Sequence, residues 1–186
     1  MDSVFTRAMT LRPPRILGVR LRAFSCWHAL VLLTLGNPFL VGGRMPNWGD
    51  LVELVCVCSD SWGDDLKTFG RFSVSPLRRF VMFLRCMVIN RSKAFDIAWA
   101  YLDAFCDFPE IVHVRGKERP SGAPWPYHLV AYTLREHGGI TRAEAWDMSV
   151  IEAGCLKACN EEANGAILEL AVDEMVERDT ERAAAG

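Results

Sequence analysis

The sequence lacks a hydrophobic run long enough to cross a membrane. A spanning helix needs about 20 consecutive apolar residues, but the most apolar stretch, FSCWHALVLLTLGNPFLV, is interrupted by His28 and by Gly36-Asn37-Pro38. The run also begins too late for the apolar part of a signal peptide, and NPFLVGG is a poor cleavage context. We therefore expect no membrane association and interpret the stretch as a buried amphipathic helix.

The chain also has little excess charge of either sign. Its 21 basic and 23 acidic residues give a formal net charge of −2. Because nucleic-acid binding needs a concentrated basic surface, we expect no nucleic-acid partner. The charge is nevertheless uneven, since arginines dominate residues 1–22 and acidic residues dominate the segment from Glu161 onward. A solvated basic arm is the preferred interpretation, and contact with phosphates or an acidic partner is the alternative.

No catalytic motif is present. The sequence has no GxxxxGK[ST] or GxGxxG phosphate-binding loop, and no GxSxG nucleophile turn or HExxH zinc motif. The paired carboxylates lie in polar stretches, where acid–base catalysis gains little. His28 falls one turn into the apolar helix, which is typical of a hydrogen-bonded packing or capping residue. We therefore predict a non-enzymatic protein with no catalytic residues and no cofactor.

The seven cysteines do not form a spaced disulfide framework. Their number is odd and most lie in apolar runs, which favours reduced thiols in a reducing, cytoplasmic compartment. Cys155 and Cys159 are one helical turn apart, and a zinc site would need two further ligands, such as His128, His137 or a distant cysteine. Core or near-surface cysteines are the preferred interpretation, so we predict no metal ligand, and the metal site stays as an alternative.

Capping residues and apolar periodicity predict helices along most of the chain. Ser25, Asn47, Ser75 and Thr141 are the expected N-caps, the last with Glu144 in a capping box. SKAFDIAWAYLDAFCDF and WPYHLVAYTLREHGG are further helices, and the final helical region starts near SVIEAG and divides, if at all, near Asn164-Gly165. The apolar stripe of the predicted helix in SKAFDIAWAYLDAFCDF contains Phe95, Ala98, Trp99, Leu102 and Phe105.

These helices predict a mainly all-α fold, a bundle of about six or seven helices with at most one or two short strands, in RILGVRLRAF and IVHV. Residues 1–22 form a flexible or extended basic arm, and residues 23–108 form the helical core. Residues 109–123, rich in Pro, Gly and charge, form a loop. Residues 124–182 form a C-terminal helical region packed on the same core.

Tryptophan is abundant, with six residues in 186. Trp48 and Trp62 stand in or beside polar loops, and Trp125 stands between two prolines. Because tryptophan is enriched in binding hot spots, we select Trp48, Trp62, Trp125 and Trp146 as candidate partner-binding residues. The alternative is that these side chains anchor helix starts in the core.

Two stretches carry patterns of spaced residues. In LRAFSCWHALVLLTLGNPFL the pattern comprises Ser25, His28, Leu32, Asn37, Pro38 and Phe39. In PWPYHLVAYTLREHGGITRAEAWDMSVIEAGCLKACNEEANG it comprises Pro124, Trp125, Leu129, Val130, Gly139, Glu144, Ala145, Trp146, Asp147, Met148, Glu162 and Gly165. The first stretch resembles the opening helix of small phage or prophage tail proteins, and the second is similar to the end of phage tail assembly chaperones. Ser149 stands where that family often has proline.

The resemblance covers about a third of the chain and implies a helical, non-enzymatic factor. Such a factor binds the tape-measure protein and tail-tube subunits during virion assembly in the host cytoplasm. Two alternatives remain open: a structural virion component, such as a tail or head–tail connector subunit, and a small helical metal-binding or regulatory protein that uses Cys155, Cys159 and His128.

Overall fold

The computed structural model describes residues 10–59, 80–81, 84–85, 91–107 and 122–164. Within these ranges, one hairpin and seven helices have complete bounds, which confirms the mainly all-α prediction. The strands are β1 (Arg15–Ile16) and β2 (Val19–Arg20). The helices are α1 (Cys26–Thr34), α2 (Pro38–Val41), α3 (Trp48–Val57), α4 (Arg91–Cys106), α5 (Trp125–Glu136), α6 (Arg142–Asp147) and α7 (Val150–Ala163). The predictions at Trp62, Ser75, IVHV and the segment after Asn164 lie outside the described residues.

Helix α1 is the centre of the fold. It packs against α2, α3, α5 and α6, while α7 packs against α4 and α5. Every residue from Cys26 to Leu32 is buried, so the helix is buried as predicted but is apolar nearly all round and not amphipathic. The indole of Trp27 meets that of Trp146 edge to face, with centroids 6.2 Å apart. Among the described helices, none combines the length and apolarity that crossing a bilayer requires.

A reciprocal capping box starts α1. The Ser25 hydroxyl accepts the backbone N–H of His28 at 3.4 Å, and Nδ1 of His28 accepts the backbone N–H of Ser25 at 3.1 Å. Two backbone donors that a helix start would leave unpaired are thereby satisfied. The prediction that His28 is a buried packing and capping residue is confirmed. The helix ends before Gly36, whose φ of 67° suits the left-handed region.

Helices α1 and α7 begin side by side. Ser25 and Ser149 form an isolated antiparallel bridge. The backbone N–H groups of Cys26 and Val150 each donate across it, at 3.1 and 2.8 Å. Ser149 also caps α7 through its hydroxyl, which accepts a backbone N–H from the first turn of that helix at 3.3 Å. The two helix starts therefore form one hydrogen-bonded unit.

The hairpin corrects the predicted boundary of the N-terminal arm. Its turn residues Leu17 and Gly18 both have positive φ, 52° and 74°, the geometry of a tight type I′ hairpin turn. Ile16, Leu17 and Leu21 are buried in the core, so this part of the predicted 1–22 arm belongs to the folded body. A single short strand or extended segment was expected in RILGVRLRAF from its imperfect apolar alternation, and that pattern does not reveal a turn at Leu17, because leucine is an unusual residue at positive φ.

Helix α2 was not predicted. Asn37 caps it by accepting the Phe39 N–H at 3.2 Å, and Pro38 occupies the first turn. The amide of Asn37 is buried, and its Nδ2 donates to the Asp50 carbonyl at 3.0 Å and to Oε2 of Glu53 at 2.8 Å. Asn-Pro followed by apolar residues is itself a helix-start signal, so the segment continues into a new helix directly after α1.

Candidate protein-binding surface

Helix α4 has one side in the core and another side in contact with α2 and α3. Its core side carries buried residues that pack towards the hairpin and α7, namely Ala94, Ala98, Tyr101, Leu102 and Phe105. Phe95 and Trp99 instead reach the rings of α2 and α3. The sequence predicts Trp99 in the same apolar stripe as Ala98 and Leu102, but 40% of Trp99 is exposed. The stripe is therefore wider than the core, and its edge reaches the surface.

Four rings from three helices form what we call the aromatic surface: Phe39 of α2, Trp48 of α3, and Phe95 and Trp99 of α4. The centroid of Phe39 lies 4.9 Å from that of Trp99 and 5.8 Å from that of Phe95. Trp48 meets Phe95 edge to face at 5.6 Å. Phe39 is buried and Trp99 is the most exposed of the four, so the cluster has a fixed base and an accessible rim.

Two further apolar side chains are exposed between Phe39 and Trp48 in the chain. Val41 ends α2 and is 56% exposed, and Met45 lies in the following loop and is 89% exposed. Exposed apolar side chains thus flank Phe39 and Trp48 along the chain, and contiguous exposed apolar groups are characteristic of binding sites. Methionine adapts to different partner shapes because its side chain is unbranched and polarizable.

A charged pair holds the loop that carries Met45. Both terminal nitrogens of Arg44 donate to the carboxylate of Asp50, each at 2.6 Å. The carboxylate also accepts the Asn47 N–H at 2.7 Å, which completes the capping box of α3. The hydrogen bonds from Arg44 lower the pKa of Asp50 from its usual value, and the backbone hydrogen bond from Asn47 adds to this shift. The pair therefore links the loop at Arg44 to the first turn of α3.

Helix α5 presents a second, separate apolar stripe. Tyr127, Ala131 and Leu134 are exposed and recur at helical spacing, which places them on one face. The ring of Tyr127 stands perpendicular to Trp146, with centroids 5.1 Å apart. This stripe is therefore also apolar, but it lies on a single helix, and of its three residues only Tyr127 is aromatic.

The four tryptophans selected from the sequence have different positions. Trp48 belongs to the aromatic surface, and Trp125 is exposed in the first turn of α5. Trp62 lies outside the described residues. Trp146 is only 4% exposed because Trp27 and Tyr127 cover its indole. It corresponds to the core alternative, and we remove it from the candidate surface.

The sequence interpretation missed Phe39, Val41, Met45 and Trp99 as surface-forming residues. The signal available for the first two was Asn37-Pro38, which marks the start of α2 and so brings apolar side chains onto a helix beside α3. No comparable signal marks Trp99, because helical periodicity does not show where a core ends and a surface begins.

Four of the described cysteines are poor nucleophiles. Burial raises the pKa of Cys26 to about 12 and that of Cys106 to about 11. Burial also raises the pKa of Cys155 to about 11 and lifts that of Cys58 far above its usual value. Because the thiolate is the reactive form, these four thiols are protonated and unreactive near pH 7.

The pair considered for a metal site is split between two environments. Cys155 is buried, whereas Cys159 and His128 are exposed. Within residues 10–59, 91–107 and 122–164 and the four described residues between them, no three His, Cys, Asp or Glu side chains are arranged to hold a metal ion. The described geometry therefore offers this alternative no complete ligand set.

No family model matches the chain, and no curated protein or solved structure is significantly similar to it. The aromatic surface and its apolar neighbours are consequently the features of the described structure from which we argue a function.

Proposed function

We propose that this protein is a non-enzymatic assembly factor of a phage or prophage tail. In the host cytoplasm it binds apolar helices of the tape-measure protein and contacts the tail-tube subunit until these proteins assemble. The observation that carries the proposal is the aromatic surface with the exposed side chains of Trp99, Val41 and Met45. The resemblance of two stretches to tail assembly chaperones supplies the biological context.

The geometry of the aromatic surface suits shielding of an apolar helix. Burial of Trp99 and Val41 by a partner removes apolar area from water, which is the main driving force of association. Contacts with Phe39 restrain the Trp99 indole before binding, so little side-chain entropy is lost when the partner arrives. Met45 adapts to helices of different sequence. A holdase that covers successive segments of a long protein needs both a pre-positioned ring such as Trp99 and an adaptable side chain such as Met45.

The two stretches that carry the resemblance also contact each other. Ser25 in the first stretch pairs with Ser149 in the second, and Trp27 packs on Trp146. A pair of motifs that builds one structural unit is a stronger basis for the proposed relationship than two isolated matches. Ser149, which replaces the family's usual proline, has a role of its own as the N-cap of α7.

Co-expression with a tape-measure protein tests the proposal. We expect affinity purification of the unmodified chain to recover the tape-measure protein in soluble form. Trp99→Ser combined with Val41→Ser should lower that recovery about tenfold or more, as for loss of a hot-spot residue. Met45→Glu should also lower it, and its exposed position leaves the core untouched.

The matched control is Ala131→Ser combined with Leu134→Ser, which removes exposed apolar groups from α5 instead. We expect this variant to retain the tape-measure protein. Equal recovery by all variants that remain folded, as judged by urea unfolding, would refute the role of the aromatic surface. Failure of the unmodified chain to bind or solubilise the tape-measure protein would refute the proposed function.

Two measurements separate the remaining alternatives. An assembly factor is absent from finished particles, whereas a virion component is found there by mass spectrometry. A metal-binding protein contains stoichiometric zinc, which Cys159→Ser would reduce. Detection of the chain in purified particles, or of bound zinc, would favour the corresponding alternative.

A further inference from the structure

The outward face of the hairpin is a row of arginines. Burial alternates along this segment, with Ile16 and Leu21 in the core and Arg15, Arg20 and Arg22 exposed. Arg15 is the direct cross-strand partner of Arg20, and Arg22 follows two residues later on the same side of an extended segment. We call these three residues the arginine face.

This arrangement concentrates positive charge. Directly opposite side chains in an antiparallel pair lie about 5 Å apart at Cβ, and like charges at that position are destabilising. The two strands have only two residues each, so the ladder itself offers little compensation. A ligand with negative charge relieves the repulsion, and binding such a ligand is therefore coupled to stabilisation of the hairpin.

A groove opens beside the arginine face. It has a volume of about 420 Å³, and its lining includes Arg20, Arg22, Ser25, His28 and Asp147. This volume lies within the range of small-ligand sites and suits a side chain or a short peptide segment. Arg20 and Arg22 thus share the lining of one groove with residues at the start of α1 and at the end of α6.

The backbone beneath the arginines is held in place. The N–H of Leu21 donates to the Pro14 carbonyl at 3.0 Å, and that of Arg22 donates to the Cys58 carbonyl at 2.8 Å. The hydroxyl of Tyr101 donates to the Arg22 carbonyl at 2.9 Å. The positions from which the guanidinium groups project are therefore fixed before a ligand binds, which reduces the entropic cost of binding.

We propose that the arginine face binds an acidic peptide segment of a protein partner, with the peptide carboxylates on the guanidinium groups. Guanidinium groups bind carboxylates in a bidentate geometry. Three exposed arginines on one hairpin form a smaller basic patch than the concentrated basic surface that a nucleic-acid backbone needs. Discrete carboxylates bound by the guanidinium groups, away from Asp147, are therefore favoured over a nucleic-acid backbone. This inference is independent of the tail-assembly proposal, because it uses a different surface.

Fluorescence anisotropy with the full chain tests this inference. The probe is a labelled peptide of alternating Glu and Gly, compared with a Gln-Gly peptide of equal length and with a single-stranded DNA oligonucleotide. We expect the Glu-Gly peptide to bind most tightly, and its affinity to fall between about 50 and 200 mM salt because exposed charges are screened. Tighter binding of the DNA would overturn the peptide assignment.

The matched variants localise the site. Arg15→Gln, Arg20→Gln and Arg22→Gln together should lower the affinity for the Glu-Gly peptide about tenfold. Lys93→Gln, Arg135→Gln and Arg142→Gln change the net charge equally at exposed positions elsewhere, and should change the affinity less than about twofold. Equal losses in both variants, or no binding by the unmodified chain, would refute the inference. The Trp99→Ser variant should bind the peptide normally, which separates this result from the test of tail assembly.

Discussion

The hydroxyl of Tyr101 donates a hydrogen bond to the carbonyl oxygen of Arg22 at 2.9 Å. This bond joins the core side of α4 to the segment that leaves the hairpin. The Arg22 N–H donates in turn to the Cys58 carbonyl at the end of α3. Residues from three parts of the chain thus form one buried polar link, and the hairpin is anchored at its exit.

Tyr101→Phe should destabilise the fold by about 1–2 kcal/mol, because the Arg22 carbonyl loses its side-chain donor inside the protein. Urea unfolding at pH 7 measures this change. Tyr127→Phe is the control: Tyr127 is exposed on α5, and the expected effect is below about 0.5 kcal/mol. A similar loss in both variants would show that the Tyr101 hydrogen bond does not stabilise the hairpin.

The capping serines of α1 and α7 give a second prediction. Ser25→Ala and Ser149→Ala should each cost about 1 kcal/mol, the usual effect of losing a helix N-cap. Because the two residues form one bridge, we expect the double variant to depart from additivity. Chemical denaturation of all four proteins measures the coupling. Simple additivity would indicate that the two caps act independently.

The Arg44–Asp50 pair predicts a dependence on pH. The folded pKa of Asp50 lies below its usual value, so the pair contributes stability above the unfolded carboxyl pKa of about 3.9. This contribution disappears as the pH falls through the lowered folded pKa. Arg44→Gln should therefore be less stable than the unmodified chain at pH 7, and the difference should shrink below about pH 4.

Urea unfolding at a series of pH values measures that difference. The control is Arg135→Gln, which breaks the more exposed pair between Arg135 and Glu136. Solvent screens this pair, so the control should change stability little at any pH. A constant difference for Arg44→Gln across the whole acid range would show that the Asp50 carboxylate is not its cause.

The thiols give a fourth prediction. Cys159 is exposed, whereas Cys26, Cys58 and Cys155 are buried and have raised pKa values. Iodoacetamide at pH 8 should therefore modify Cys159 before these three, which should react only after denaturation. Peptide mapping by mass spectrometry resolves each site over time. Equally rapid modification of Cys26 in the native protein would contradict the burial described for α1.

Local signals were sufficient to predict most helix starts. Ser25, Asn47 and Thr141 cap their helices as expected, because a capping side chain and its target N–H are three residues apart or fewer. The hairpin was harder to predict, since it depends on Leu17 adopting a positive φ. Burial of the Leu17 side chain, a tertiary effect, accompanies this unusual backbone conformation.

The candidate surface depends even more on tertiary packing. Trp99 and Trp146 both follow helical apolar patterns, yet one is exposed and the other is covered by Trp27 and Tyr127. Their exposure differs because different helices pack against them. The sequence pattern of a single helix does not show which helix will pack against it. The aromatic surface also requires α2, whose start signal directly follows the end of α1.

Because of the bridge between Ser25 and Ser149, the start of α1 cannot complete its hydrogen bonds until the ribosome has synthesised the region around Ser149. The first helix of the core receives its backbone partners from residues that are translated much later. Until those residues leave the exit tunnel, the Phe24 carbonyl and the Cys26 N–H must be satisfied by water. The large separation in sequence between Ser25 and Ser149 also slows formation of this native contact. We therefore expect a nascent chain that stops before Ser149 to be sensitive to proteolysis around α1, and protection to arise only when α7 has emerged.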